Sequence, residues 1–314
     1  MRSRIRGLQL GCALLALGLT VVLSACGSGS GQATTLLKQT FSGPHPVSSG
    51  ELSVELGVDP SGSSTLKAPI TVSLSGRFQS LGQGKLPASS FAIGISELGR
   101  TASLRIVSTG TNGYVTLQGT SYQLPPSSFR TLESSFGQLA GSAGGSGSGT
   151  LSRLGIDPLR WLVHPSVVGA ERVGGTQTMH VRAAVNVGAL LVDLNTFLQK
   201  ASSVGIAGTA GIPPLGAATR TRLAAAVKNP RFDVWTGTAD KTLRKVAIQL
   251  GVPVSGQIST LLGGLRAAQI GLSLQYSGLG QPQMIQAPAQ VHPFKQFAAK
   301  LRSFLAGVQS LAAG

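Results

Sequence analysis

Strict two-residue alternation of apolar and polar side chains, repeated segment after segment, most limits what this 314-residue chain can fold into. In "ELSVELGVD", Leu52, Val54, Leu56 and Val58 alternate with Ser53, Glu55 and Gly57. "ITVSLSG" continues with Ile70, Val72 and Leu74, and "FAIGISE" with Phe91, Ile93 and Ile95. "ASLRI" and "YVTL" flank Asn112-Gly113, a pair that favours a tight type I′ hairpin turn. The pattern returns in "TMHVRAAVNV" (Val181, Ala183, Val185, Val187), "RKVAIQL" (Val246, Ile248, Leu250) and "IGLSLQYS" (Ile270, Leu272, Leu274, Tyr276). Successive side chains on a strand point to opposite faces, so these segments predict an antiparallel sheet with one apolar and one wetted face.

Helical spacing is rarer. "GALLVDLNTFLQKA" carries Leu190, Leu191, Leu194, Phe197 and Leu198 on one stripe. Residues 125–140 begin with prolines and Ser127-Ser128, which suit a helix start, and residues 213–227 form a third candidate ending before Asn229-Pro230. Phe294, Phe297, Leu301, Phe304, Leu305 and Val308 make the last segment an amphipathic helix. Residues 140–150, "AGSAGGSGSGT", read as a flexible loop. A few short helices cover such a sheet only in part. The expected class is therefore α+β: a curved antiparallel sheet wrapped over a few helices and enclosing an apolar hollow. Its candidate lining is the in-facing sets Leu52, Val54, Leu56; Ile70, Val72, Leu74; Phe91, Ile93, Ile95; and Leu272, Leu274.

The N-terminus places the molecule. Arg2, Arg4 and Arg6 precede an apolar run from Leu10 to Leu23, which is interrupted by Thr20 and followed by the small pair Ser24-Ala25. That run is shorter than the roughly 20 residues that span a bilayer as a helix. Leu23-Ser24-Ala25-Cys26 resembles the lipobox of bacterial lipoproteins, which implies a diacylglyceryl group on Cys26 after removal of residues 1–25. Cys12 lies in the removed segment, leaving Cys26 no disulfide partner. Residues 26–33 are then the lipidated cysteine and a Gly/Ser tether with a reach of roughly 15 Å. The expected location is the outer face of the cell membrane.

Charge and motifs narrow the function. Lys and Arg number 26 against 10 Asp and Glu, a net +16 that favours anionic partners such as lipid headgroups. The basic residues are dispersed, and three Tyr and two Trp offer little for base stacking, which argues against nucleic acid. No two acids are close enough in sequence to suggest a shared acid/base site. His45, His164 and His292 each precede proline, and His180 reads as a satisfied strand histidine on the face opposite Val181. There is no metal-ligand spacing, no G-x-S-x-G, no Walker loop and no CxxC, so neither an enzyme nor a cofactor is expected.

Three segments, in order, resemble the actinobacterial LppX/LprG-type lipoproteins of the LolA/LolB-like group. They are "DPLRWLVHPSVVGAERVGGTQTMHVRAAVNV" (157–187), "RFDVWTGTADKTLRKVAIQL" (231–250) and "YSGLGQPQMIQAPA" (276–289). The resemblance implies a half-barrel domain over residues 34–291 whose hollow holds lipid or glycolipid acyl chains, with an envelope transporter as a candidate partner. The loop at 140–150, the segment 200–216 and the tail 292–314 depart from it. Two functions stay open on the sequence: a membrane-tethered lipid carrier, or a non-carrier interaction or sensor lipoprotein with a solid core that docks a partner.

Overall fold

The computed structural model describes residues 29–42, 45, 47–82, 85–97, 100–141, 155–203 and 214–312. Residues 1–25 and Cys26 lie outside them, as does the expected Gly/Ser loop from residue 142 onward.

Helix α1 (Gly29–Ser42) precedes strands β1 (Ser49–Ser61), β2 (Ile70–Gln79), β3 (Ala88–Glu97), β4 (Arg100–Ser108), β5 (Gly113–Leu117) and β6 (Thr120–Gln123). Helices α2 (Pro126–Gly141) and α3 (Pro158–Trp161) lead to β7 (Leu162–Val173) and β8 (Thr176–Val185). Then come α4 (Val187–Ser203), α5 (Ala217–Ala226), β9 (Lys228–Gly237), β10 (Leu243–Pro253), α6 (Gly256–Leu261) and β11 (Ala267–Ser277). The two-residue β12 (His292–Pro293) and a 3-10 turn precede α7 (Phe297–Ala312).

The twelve strands of the described residues form one open sheet in the order β12-β6-β5-β4-β3-β2-β1-β11-β10-β9-β8-β7. Every pairing is antiparallel except the short β12–β6 contact. The sheet is thus two meanders, joined where β1 pairs β11 from Glu51↔Ser277 to Ser61↔Ala267. At one edge, β7 carries Pro165, whose missing N–H is tolerated where no neighbour needs it, and the β7–β8 register shifts there.

Alternation assigns the faces as expected, and the core gathers at the two ends of the apolar face. At the β7–β10 end, Val181, Val185, Phe232, Val234 and Ile248 pack with Ala33, Leu36 and Leu37 of α1, and with Trp161 and Val187. Asp193 of α4, itself buried, pins α3 to that helix by accepting the Trp161 indole N–H at 2.9 Å and the Asp157 backbone N–H at 2.7 Å. Asn186 starts α4, its Oδ1 accepting the Ala189 N–H at 3.0 Å. At the other end, Val115, Leu117 and Tyr122 pack with Phe297 of α7, joined by Leu104, Phe294, Leu301 and Phe304. The C-terminal helix is therefore a core helix of the β5–β6 end.

Two local expectations differ from the fold. Helix α1 opens at Gly29, inside the segment 26–33 read as tether, because burying Ala33, Leu36 and Leu37 draws the chain into the core. The β4–β5 hairpin does not turn at Asn112-Gly113. Ser108 pairs with Gly113, and residues 109–112 form the loop, with Gly110 at φ 87°. Gly113 is a strand residue needed for closeness: a Cβ there would lie 2.6 Å from Leu124 and 2.9 Å from Phe129. The turn with two positive φ values is at Gln118-Gly119, between β5 and β6.

Candidate functional site

Between the two packed ends lies the middle of the apolar face. Among the described residues, strands β11, β1, β2 and β3 contribute no side chain to either core cluster. All eleven sequence-predicted lining residues fall on this stretch, and register aligns them in cross-strand rows. Leu272, Leu56, Val72 and Ile95 form one row. Leu274, Val54, Leu74 and Ile93 form the next. Tyr276, Leu52, Gly76 and Phe91 form a third, and Ile70 lies beside Val58 beyond the first.

The rows are wet. Leu272, Leu56, Val72 and Ile95 are 37–39% exposed, and none of the eleven is buried. Packed strands bury such side chains almost completely, as Val181 and Val234 show. Among the described residues this middle stretch is a half-open aliphatic surface, termed the trough. Two further residue sets adjoin these rows. Leu104 and Ile106 of β4 extend the second and third rows, and their signal was the alternation already visible in "ASLRI". Phe78 and Tyr276 meet edge to face at 6.5 Å at the far end, where burial pushes the tyrosine phenol up. Beyond β4, an open cleft of about 580 Å³ reaches Phe304 of α7, but Thr101, Ser103, Arg105, Thr116 and Gln118 make its wall largely polar. Cys26 lies outside the described residues.

The opposite face of β7–β9 carries a polar cluster around His180. The ring stacks on Trp235 with centroids 4.3 Å apart. Nδ1 lies 2.8 Å from Glu171 Oε1 and Nε2 lies 2.7 Å from Asp233 Oδ1. Arg182 donates to Asp233 at 2.7 Å, the Trp235 indole donates to Glu171 at 2.8 Å, and Lys245 sits over the Trp235 ring. Both ring nitrogens are engaged, so His180 has none left to act on a substrate. The strand histidine expected from sequence is in place; its two carboxylates come from residues far apart in the chain.

That cluster has a pH signature. The Trp235 hydrogen bond, followed by the His180 contacts and Lys245, holds the Glu171 carboxyl below 4.5 against its desolvation. A carboxyl depressed in the folded state adds stability above its unfolded value and loses it as pH falls through the folded one. Denaturation midpoints should therefore fall on acidification below about pH 4.5, and Glu171→Gln should flatten that part of the profile. An unchanged profile in the variant would show that Glu171 makes no titrating contribution.

Among the described residues there is no group of three or more His, Cys, Asp or Glu that could hold a metal, and no helix is long and apolar enough to cross a membrane. No protein-family model matches the chain, and no curated protein matches it. Solved structures do. LprF from Mycobacterium bovis is 14% identical, with 84% of this chain and 100% of that one covered, at a TM-score of 0.39. The Mycobacterium tuberculosis lipoprotein LppX is 13% identical, covering 81% and 94%, at 0.32. A putative outer membrane lipoprotein-sorting protein domain from Vibrio parahaemolyticus is 10% identical, covering 87% and 98%, at 0.19. The architecture itself stands on the strand order above.

Proposed function

We propose that this chain is an envelope lipoprotein, anchored through a diacylglyceryl group on Cys26 at the outer face of the cell membrane, that binds acyl chains of a membrane lipid or glycolipid along the trough and carries or presents them. One observation carries the reading. Among the described residues, four neighbouring strands hold an apolar surface that neither core cluster uses and that stands partly in water. Such a surface gains about 0.8 kcal/mol for each acyl CH₂ it shields, close to what a bilayer offers. That near-balance lets cargo leave as well as enter, and no bond has to be made or broken.

Val72→Trp tests this. Val72 sits in the wettest row, so an indole there fills trough space and should shift stability by less than the roughly 1–3 kcal/mol of an overpacked core. The same variant should lose most of its bound lipid. The measurement is native mass spectrometry of the full chain exported from a bacterial host without detergent, with an organic extract analysed beside it. A variant that is destabilised like a core mutant, with its lipid content unchanged, would overturn the reading in favour of a solid docking protein.

A further inference from the structure

We propose that one end of the sheet, the end where β9 enters and β1 leaves, is a docking surface for an anionic lipid bilayer, with Leu261 as its inserting tip. The proposal deepens the reading of Cys26 as the anchor and rests on it in part.

Helix α1 shows which end the anchor reaches. Thr40, in its last turn, has its Oγ1 2.7 Å from that of Thr236, next to the exit of β9. The helix also packs on β7 and α3, and α3 runs into β7 at Leu162, which pairs with Val185 at the exit of β8. Ala184, one residue earlier, pairs with Arg231 near the entry of β9. So the last turn of α1 lies at the exit of β9, and its 14 residues, about 21 Å long, lead back toward the entry end, where α3 meets β7. Gly29, the first residue of α1, is on the side toward that end, and three residues of chain, a reach of roughly 10 Å, separate it from the anchor cysteine of the proposed function.

That end has the chemistry of a membrane contact. Register brings together the entry of β9, the exit of β10, the entry of β11 and the exit of β1, through Lys228↔Gly251, Pro253↔Ala267 and Ser61↔Ala267. Lys67, Lys228 and Arg266 are exposed there, joined by Arg222 on α5 just before β9. Against them stands the exposed Asp59; Glu97 and Asp157 are half-buried, and the buried Asp193 already faces Arg160 and holds the Trp161 indole. A basic rim of this kind attracts anionic headgroups.

Leu261 supplies the apolar part. It ends α6 in the β10–β11 connection at the same end and is 81% exposed. The connection is braced rather than loose. Ser63 Oγ donates to the Leu262 carbonyl at 2.6 Å, the Ser64 N–H to that of Gly263 at 2.7 Å, and the Val254 N–H to that of Arg266 at 2.9 Å. A leucine held out on a supported turn between cations is suited to enter the headgroup layer while the cations stay at its surface. The wettest trough row belongs to the same half of the sheet: Val72 and Ile95 lie two residues from the ends of β2 and β3 there. Docked this way, the trough would open toward the bilayer that holds its cargo.

The other sheet end provides an internal control. Met284 is 78% exposed on the loop after β11, beyond Gln283, whose N–H is bonded by the Gln79 side chain at the exit of β2. The full chain would be prepared with Leu261→Cys or Met284→Cys, each carrying a polarity-sensitive fluorophore, both with Cys26 intact and as Cys26→Ser. Vesicles are equal parts phosphatidylcholine and phosphatidylglycerol, with brominated acyl chains as quencher. The expected result is a blue shift and several-fold stronger quenching at 261 than at 284, reduced on pure phosphatidylcholine and by Lys228→Glu with Arg266→Glu. A label at 261 that stays at its aqueous value on anionic vesicles, or stronger quenching at 284, overturns the docking surface. The mass of the N-terminal peptide reads the anchor separately. An unmodified Cys26 would defeat the anchor alone, because quenching at 261 in the Cys26→Ser chain would still establish the surface.

Discussion

Phe232→Ala is expected to cost the fold about 3–5 kcal/mol, a large share of the roughly 5–15 kcal/mol that holds a typical domain together. Phe232 is 1% exposed at the centre of the β7–β10 core. It meets Trp161 edge to face at 6.0 Å and shares its cluster with Val181, Val234, Ile248 and the α1 leucines. Removing the ring loses its transfer free energy and leaves a cavity whose walls come from three strands and two helices, so collapse around it is incomplete. Guanidinium denaturation should show a lowered midpoint with an unchanged slope. The informative comparison is Leu272→Ala, in the trough. There the side chain is 37% exposed and its removal opens no closed cavity, so the loss should be well under that of Phe232→Ala. Equal losses at the two positions would mean that the middle of the sheet is as well packed as its end, and the trough would be refuted.

Asp233→Ala is expected to be comparably severe, for an electrostatic reason. Phe232 and Asp233 are neighbours on β9 that point to opposite faces. The Asp233 carboxylate takes His180 Nε2 and Arg182 Nε at 2.7 Å on one oxygen and faces Arg231 Nε at 3.0 Å on the other. The Arg182 and Arg231 side chains are 45% and 43% exposed, so water screens much of what those pairs contribute. The His180 contact is different, since both partners are at most 5% exposed. Deleting the carboxylate leaves a buried imidazole nitrogen and a partly buried pair of guanidinium groups without their acceptor, a loss in the range of about 3–5 kcal/mol for a broken buried pair. Asp233→Asn keeps one acceptor oxygen and should lose less. Denaturation of both variants at neutral pH checks the order; an alanine variant with a near wild-type midpoint would show that the cluster merely decorates the surface.

Much of this was legible from residue order, for a definite reason. Side chains on a strand repeat every two residues, so the alternation in "ELSVELGVD", "ITVSLSG" and "FAIGISE" settles the face of every residue before any partner is known, and all eleven candidate lining residues did fall on one face. The stripe of Leu190, Leu191, Leu194 and Phe197 marked α4 in the same local way, and the aromatic spacing of Phe294, Phe297, Leu301 and Phe304 marked the last helix. Local pattern also misled where a residue served a distant neighbour. Asn112-Gly113 has the composition of a turn, yet Gly113 makes room for Leu124 and Phe129.

Pairing and coverage were beyond the reach of the sequence. Nothing in either segment says that β1 takes β11 as its neighbour, across most of the chain, and that junction is what joins the rows of two meanders into one surface. Nor does anything near His180 announce Asp233, fifty-three residues away, as the partner of its Nε2. Which part of the apolar face is packed and which stays wet depends on where α1, α4 and α7 settle, because each helix covers only the strands it reaches. Periodicity, a short-range property, determined which side chains face the interior. The tertiary structure decided which of them have company there, because burial is a property of what arrives from elsewhere in the chain.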